Sequence, residues 1–319
     1  VQNFGFSEGV MRDLVIIGAG PAGLTAALYA GRSRLDTVLI EKMAVGGRIL
    51  MSESIENYPG FPGGIPTTEL IGRMEKQVRD LGVSIENDEV LELDCSARVV
   101  RTSAGEYAFR AVIIAAGAHP RKLNVPGEDV YTGRGVSYCA TCDAPFYKGK
   151  HVVLVGGGNA VAEEAIYLSR FADSVNVVHR RQELRASEIL QEEMRRNSKI
   201  GFILNSLVTE IKGGKKVEAV KIKDVLTGSE KDFACDGVFV YIGYEPETSF
   251  LKGKLNMDEA GFVIADDSMR TSAEGVFVCG DCRKKSLYQV VNACGDGAVA
   301  ADSAYKFISS HAGRTPAGK

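Results

Sequence analysis

The chain has no surplus of basic charge: 38 Lys and Arg stand against 41 Asp and Glu, a formal net charge of −3 over 319 residues. A nucleic-acid or anionic-membrane partner recognised through bulk charge is thereby excluded. A membrane-crossing run is also lacking. The uncharged stretch from Leu14 to Gly31 invites that reading, but Gly18, Gly20, Pro21 and Gly23 interrupt it after four apolar residues. Such a pattern reads as a short buried strand, a tight turn and a helix. No charged n-region and small-residue cleavage site frame a secretory signal, and the ten residues before Met11 are assigned no function. Cysteine is sparse and irregular, with seven at 95, 139, 142, 235, 279, 282 and 294. An odd set in a chain this large is no disulfide scaffold and favours a reducing, cytoplasmic home.

What is present begins with size. At roughly 150 residues per domain the length suggests about two domains. Apolar residues at 45% and charged residues at 25% are ordinary for globular proteins, which sets aside disordered and collagen-like classes. Glycine is over-represented, 36 of 319 or about 11%, against a usual ~7%. The glycines cluster, as expected where backbone must approach a ligand.

The chain repeats itself once. DLVIIGAGPAGLTAALYAG followed by TVLIEK has a counterpart in HVVLVGGGNAVAEEAIYLSR followed by SVNVVHRR. In each, a β-branched run leads into glycines and a helix, and a second β-branched run comes after it. Gly18 to Glu41 and Gly156 to His179 are both 23 positions apart. Two βαβ units of this kind predict an α/β fold with two Rossmann-like domains and two dinucleotide sites. In the first unit Gly18 allows the tight turn, Gly20 admits a pyrophosphate, and Gly23 lets helix and strand close up. Glu41, ending the next strand, is placed to accept hydrogen bonds from ribose hydroxyls.

The second unit differs where a different ligand requires it. Gly156, Gly158, Asn159 and Ala160 form its turn, but the acidic position holds His179, followed by Arg180, Arg181 and Arg185. Guanidinium groups bind a 2′-phosphate that a carboxylate would repel, which predicts NADPH. Arg181 and Arg185 share a face if their segment is helical. A solvated basic surface is the plainer alternative. The third small position of the motif is Val161, which predicts a helix standing slightly off its strand.

VIIAAGAHP at 112–120 and VFVYIGYEP at 238–246 each run from an apolar strand through glycine to proline. Proline cannot continue a central strand, so both mark crossings between domains. The expected organisation is a discontinuous first domain, residues 1–118 and 245–319, with residues 119–244 inserted. Near the C-terminus, GVFVCGDC sets Gly280 and Asp281 after a short strand, suited to ribityl or ribose hydroxyls. A helix beginning near Gln289 to Asn292 would favour negative charge at its N-terminus.

Between the first crossing and the second glycine turn lies YCATCDAPF. Cys139 and Cys142 have the spacing that forms a local disulfide and lowers a thiolate pKa. Closing so short a loop constrains the unfolded chain by only about 2 kcal/mol, a poor staple and a good cycling dithiol. A zinc site with Cys279 and Cys282 is disfavoured, because Cys279 sits in an apolar strand.

GAGPAG, ENYPG, CATCDAPF, GGGN, HRR with Arg185, and GVFVCGD together resemble the low-molecular-weight thioredoxin reductases of the pyridine nucleotide-disulphide oxidoreductase family, over nearly the whole chain from about Met11. The resemblance implies a homodimeric FAD protein with an inserted NADPH domain and thioredoxin, or a similar small protein, as partner. It implies that Cys142 meets the flavin, that Cys139 attacks the partner disulfide, and that Asp143 supplies a proton. Pro21, Ala22, Lys42, Gly47, Arg48, Asn57, Gly117, Gln289 and Val290 fall at its FAD positions. Arg134 and Phe146 fall where the partner docks. GGR at 46–48 and Tyr288 depart from the family's usual GGQ and arginine. A flavin dithiol oxidase, an NADH- or ferredoxin-fed relative and a non-catalytic redox sensor are the rival readings; the three arginines tell against the oxidase and against ferredoxin.

Overall fold

The computed structural model describes residues 11–52 and 54–311, so the segment before Met11 lies outside the described residues. The chain divides into two units, residues 1–119 with 245–319 and residues 120–244. The crossings between them, Ala118–Pro120 and Tyr244–Pro246, pair as a two-stranded ladder. Among the described residues no helix is long and apolar enough to cross a membrane.

The first unit is built on a seven-stranded sheet. Ser84–Asn87, Thr37–Glu41, Arg12–Ile17 and Glu106–Ile114 run parallel in that order, and Val276–Val278 joins the far side of Glu106–Ile114, also parallel. Val99–Thr102 and Val90–Asp94 extend the sheet antiparallel. The central strands are continuous Val, Leu and Ile runs because both faces are covered. Leu14, Ile16, Leu39 and Ile113 pack beneath helices Pro21–Arg32 and Val290–Ser310, while Val15, Ile40, Val112 and Ile114 face Leu251 and Val263. Register brings the strand ends level: Ile17 pairs with both Ile40 and Ile114, and Val278 with Ile114. The residues at or just beyond these ends, Gly18, Glu41, Gly117 and Gly280, therefore share one edge, the carboxyl edge where ligands bind in such sheets.

The second unit repeats the scheme with five parallel strands, ordered Val136–Ser137, Gly237–Tyr241, His151–Gly156, Ser174–Val178 and Ile200–Ile203. One face packs on helix Asn159–Leu168 through Val152, Leu154, Val161 and Phe239. The other packs on an antiparallel sheet of Ser206–Gly213, Val217–Asp224 and Glu230–Ala234 through Val153, Val178, Val220 and Ile222. Gly156 is level with Tyr241, and the strand Val136–Ser137 ends two residues before Cys139. The second glycine turn and the cysteine pair thus lie along the carboxyl edge of one sheet. The repeated units and the two parallel sheets are those expected from the repeat. The stretch holding Arg181 and Arg185 is not helical; the next helix is Glu188–Arg196.

Candidate active site

In the first unit the glycine turn is closed from below and open above. Gly18 has φ +101°, and a Cβ there would lie 2.4 Å from the Ala115 carbonyl oxygen. A Cβ on Gly23 would lie 1.8 Å from the Gly18 carbonyl oxygen, so the helix start rests directly on the turn. Gly20, the N-cap with Pro21 at the first helical position, has no atom closer than 4.0 Å to such a Cβ. The turn presents bare backbone, followed by Ala22, at the N-terminus of a twelve-residue helix, which suits a pyrophosphate. Glu41 is fixed by two backbone donors, Ala19 N at 2.8 Å and Met43 N at 3.0 Å.

The remaining first-unit residues collect around that turn. Gly47 (φ +61°) would bring a Cβ within 3.3 Å of Gly20 Cα. Arg48 donates to the Ala118 carbonyl (3.1 Å) and to Asp281 Oδ2 (3.3 Å). Asn57 donates to Oε1 of Gln289 (3.0 Å), the residue preceding helix Val290–Ser310. Gly117 (φ +76°) accepts from Glu247 N (3.0 Å). Lys42 stands apart, exposed and 3.6 Å from Glu247. Asp281 Oδ1 is buried and receives no directed hydrogen bond, although Lys285 Nζ is 3.0 Å away. Glycine turn, anchored carboxylate and under-satisfied Asp281 together fit a dinucleotide carrying a hydroxylated chain.

Sequence reading missed what holds Gly280 and Asp281 in place. Asp296, buried within helix Val290–Ser310, accepts from Gly280 N (3.2 Å), from Arg283 (2.9 Å twice) and from Lys285 (3.3 Å). Lys285 is itself almost fully buried and also rests on the Tyr288 ring, 5.5 Å from its centroid. Arg283 and Lys285 alternate just after the GDC turn, and that alternation is the signal that was available. Cys279 and Cys282 are buried, and burial raises both thiols, Cys282 to about 11.

The second unit reproduces the turn with one change. A Cβ on Gly156 (φ +143°) would meet the Tyr241 carbonyl oxygen at 2.3 Å and Val161 Cγ2 at 2.6 Å, while Gly158 again faces open space. Asn159 Oδ1 accepts from Ser187 N (2.8 Å), and Arg185 N donates to the Gly157 carbonyl (2.6 Å). These bonds tie the arginine segment to the turn that runs from Gly156 through Gly158 into Asn159 and Ala160. Arg180, Arg181 and Arg185 are all exposed. His179 is not: it is 5% exposed, and a Cβ on Gly157 would run into its ring at 2.3 Å. Burial, reinforced by the charges of Arg185 and Arg180, lowers its pKa and keeps the imidazole neutral.

Cys139 and Cys142 form a disulfide with their Cα atoms 5.3 Å apart. Ser137 Oγ accepts from Cys139 N (3.1 Å), and the Cys139 carbonyl accepts from Cys142 N (3.2 Å) and Asp143 N (3.1 Å), closing the one-turn helix Ala140–Asp143. Cys139 Sγ lies 3.4 Å from Thr141 Oγ1. Both cysteines and Asp143 are half-buried, while Phe146, just beyond, is 53% exposed and Arg134 is exposed. Beneath the turn, Ala140 N donates to the Tyr241 hydroxyl at 2.5 Å. On the neighbouring helix Asn159–Leu168, burial pushes the Glu164 carboxyl up to about 7, and the Glu163 charge adds to the rise.

A family model for the pyridine nucleotide-disulphide oxidoreductases matches residues 12–297. A thioredoxin reductase of Peptoclostridium acidaminophilum is 45% identical over 307 residues, 94% of this chain and 98% of the relative. The thioredoxin reductase of Bacillus subtilis strain 168 is 45% identical over 305 residues, 95% of this chain and 96% of its own. The crystal structure of a thioredoxin reductase from Streptococcus pyogenes superposes with TM-score 0.89 at 45% identity, covering 95% of this chain and 100% of that one. The chain belongs to the pyridine nucleotide-disulphide oxidoreductase family, in its low-molecular-weight thioredoxin reductase branch.

Proposed function

We propose that this chain is a cytoplasmic, homodimeric thioredoxin-disulfide reductase that spends NADPH. The observation that carries the reading is the Cys139–Cys142 disulfide on the carboxyl edge of the same sheet as a dinucleotide turn flanked by three exposed arginines. FAD, when bound, supplies a two-electron carrier between nicotinamide and disulfide. Gly18, Gly20 and Gly23 with the Pro21 helix start would take its pyrophosphate, Glu41 a ribose, and Asp281 the ribityl chain. Arg48, Asn57 and Gln289 line the approach. In the inserted unit Gly156 and Gly158 would take the NADPH pyrophosphate and Arg180, Arg181 and Arg185 its 2′-phosphate, with neutral, buried His179 shaping the turn.

Two electrons and two protons open Cys139–Cys142 to a dithiol. Cys139, as thiolate, attacks the partner disulfide and forms a mixed disulfide; Cys142 then attacks Cys139 Sγ, releasing the reduced partner and re-forming the internal bond. Asp143, two residues from Thr141 in the turn, protonates the departing thiolate. Phe146 and Arg134, both exposed, form the docking patch for a small dithiol protein.

Anaerobic NADPH is expected to bleach the flavin, with turnover on adding thioredoxin. Cys142→Ser is expected to bleach normally and fail to turn over; normal thioredoxin reduction by that variant sinks the route, and absence of bleaching favours a non-catalytic sensor. Arg181→Ala with Arg185→Ala should raise the KM for NADPH by about 10–100-fold and leave that for NADH unchanged, the loss of charge-assisted bonds worth about 1.5–3 kcal/mol. Equal effects on the two nucleotides would return those arginines to the solvated surface.

A further inference from the structure

Cys139 lies just past the end of a backbone ladder. Val136–Ser137 pairs parallel with Gly237–Tyr241, Ser137 level with Phe239, and the pairing stops there. Carried two residues further, the register sets Cys139 level with Tyr241, and side chains take the place of the missing backbone partners. The Tyr241 hydroxyl accepts from Ala140 N at 2.5 Å, and the Tyr244 hydroxyl, three residues on, donates to the Tyr138 carbonyl at 3.2 Å. Both peptides flanking Cys139 are held at both of their polar groups. In the peptide before it, the Tyr138 carbonyl takes Tyr244 and Cys139 N donates to Ser137 Oγ at 3.1 Å. In the peptide after it, the Cys139 carbonyl accepts from Cys142 N and Asp143 N, and Ala140 N goes to Tyr241. Two of these four backbone groups are satisfied within the turn and its approach; the other two depend on tyrosines from the neighbouring strand and the bend after it. Tyr138 is anchored again at its far end. Its hydroxyl donates to Glu128 Oε1 (2.8 Å), a buried carboxylate that also holds the Leu123 and Asn124 amides at 2.9 and 2.7 Å.

We propose that Tyr241 and Tyr244 are positioning residues of the thiol chemistry: their hydroxyls clasp the two peptides flanking Cys139 and keep the opened dithiol in the geometry of the disulfide. The inference rests on Cys139–Cys142 being the working disulfide of the proposed function. Closing a disulfide costs the chain the freedom that lets two thiols drift apart. A clasped turn has already lost that freedom, so its sulfurs stay close and closure is favoured. The effect falls on the step in which Cys142 attacks Cys139 Sγ. There the bond from Cys139 to the partner sulfur breaks, the Cys139–Cys142 bond forms, and the electron pair leaves on the partner thiolate. A loosened turn slows that closure and leaves more of the protein as dithiol.

The local backbone explains how two tyrosines reach adjoining peptides. Tyr241 ends strand Gly237–Tyr241 and Tyr244 begins Tyr244–Pro246, with exposed Ile242 and Gly243 between them. Gly243 has φ +116°, a conformation that favours glycine, and the bend it allows lets residues three apart in sequence serve positions 138 and 140 of the neighbouring segment. Both phenols are half-buried, and the Tyr241 ring packs on the same apolar cluster as Ala140 and Ala144. Phenylalanine at either position keeps the ring and deletes one hydrogen bond, so packing and clasp are separable.

The test needs no thioredoxin. The full-length, FAD-loaded protein is equilibrated anaerobically with graded mixtures of reduced and oxidised dithiothreitol, acid-quenched, alkylated and analysed by mass for its fraction of dithiol. Tyr241→Phe and Tyr244→Phe are each expected to move the midpoint toward dithiol by about 3–10-fold in the dithiothreitol ratio, the scale of one hydrogen bond. A hydroxyl that only stabilises the fold lowers the melting temperature of the oxidised and reduced protein alike and leaves this ratio unmoved. Tyr167→Phe is the control: its ring packs on Phe171, centroids 5.4 Å apart, and its ratio should stay at the wild-type value. A wild-type ratio in either clasp variant, a displacement toward the disulfide, or an equal displacement in Tyr167→Phe overturns the proposal. Should Tyr241→Phe not fold, Tyr244→Phe decides. Absence of thioredoxin turnover in the wild-type protein, with these displacements intact, counts against the proposed function instead.

Discussion

At the scale of single residues, the proton on Glu164 has a consequence for stability. Its carboxyl is raised from 4.5 to about 7 in the folded chain by burial. A carboxyl raised on folding binds its proton more tightly in the native state, so the stability it contributes is fully present below pH 4.5 and is lost as pH climbs through 7. With Glu164 only half-buried, solvent screening trims the effect to about 1–3 kcal/mol. Glu164→Gln keeps the side-chain volume and removes the titration. Thermal unfolding of the full chain should show the variant more stable than wild type at pH 8 and equal to it near pH 4.5. A variant less stable than wild type at pH 8 would mean that the carboxylate is held by partners that compensate its burial.

At the scale of elements, each glycine turn contains glycines the fold needs and one that only a ligand needs. Gly18→Ala and Gly156→Ala would drive a Cβ to 2.4 and 2.3 Å from a carbonyl oxygen at positive φ, and each should cost about 2–4 kcal/mol of stability. Gly20→Ala and Gly158→Ala enter open space, so unfolding of the ligand-free chain should change by less than about 0.5 kcal/mol. Binding separates them: Gly20→Ala should lose FAD and keep NADPH, and Gly158→Ala the reverse, as read by flavin absorbance and calorimetric titration. The βαβ units were legible because β-branched runs, glycine spacing and a following helix agree at every level. The held Gly280–Asp281 turn was not. Asp296 sits in a helix whose pattern gives no warning that a carboxylate faces inward, and its partner Gly280 arrives from 16 positions away. The condition for Arg181 and Arg185 to share a helical face is not met for a local reason: the Arg185 amide bonds the Gly157 carbonyl and the Arg181 carbonyl accepts from Asn205 N, so the i→i−4 bond between them is not made.

At the scale of the whole molecule, the fold is one module threaded into another. Residues 120–244 carry their own parallel sheet, a second sheet covering its free face, two apolar clusters and a complete glycine turn. About 125 residues is ample for an independent core, and the chain enters and leaves through the paired strands Ala118–Pro120 and Tyr244–Pro246, so excision leaves both ends close together. The segment 120–244 expressed alone should therefore unfold in a single cooperative thermal transition by circular dichroism and retain the Cys139–Cys142 disulfide. It should bind NADPH at least 10-fold more tightly than NADH by calorimetry, since the phosphate-facing arginines travel with it, and it should bind no FAD. A segment that folds but no longer distinguishes the two nucleotides would place part of the 2′-phosphate site outside residues 120–244. One that shows no cooperative transition would mean that the inserted unit draws its stability from the chain around it.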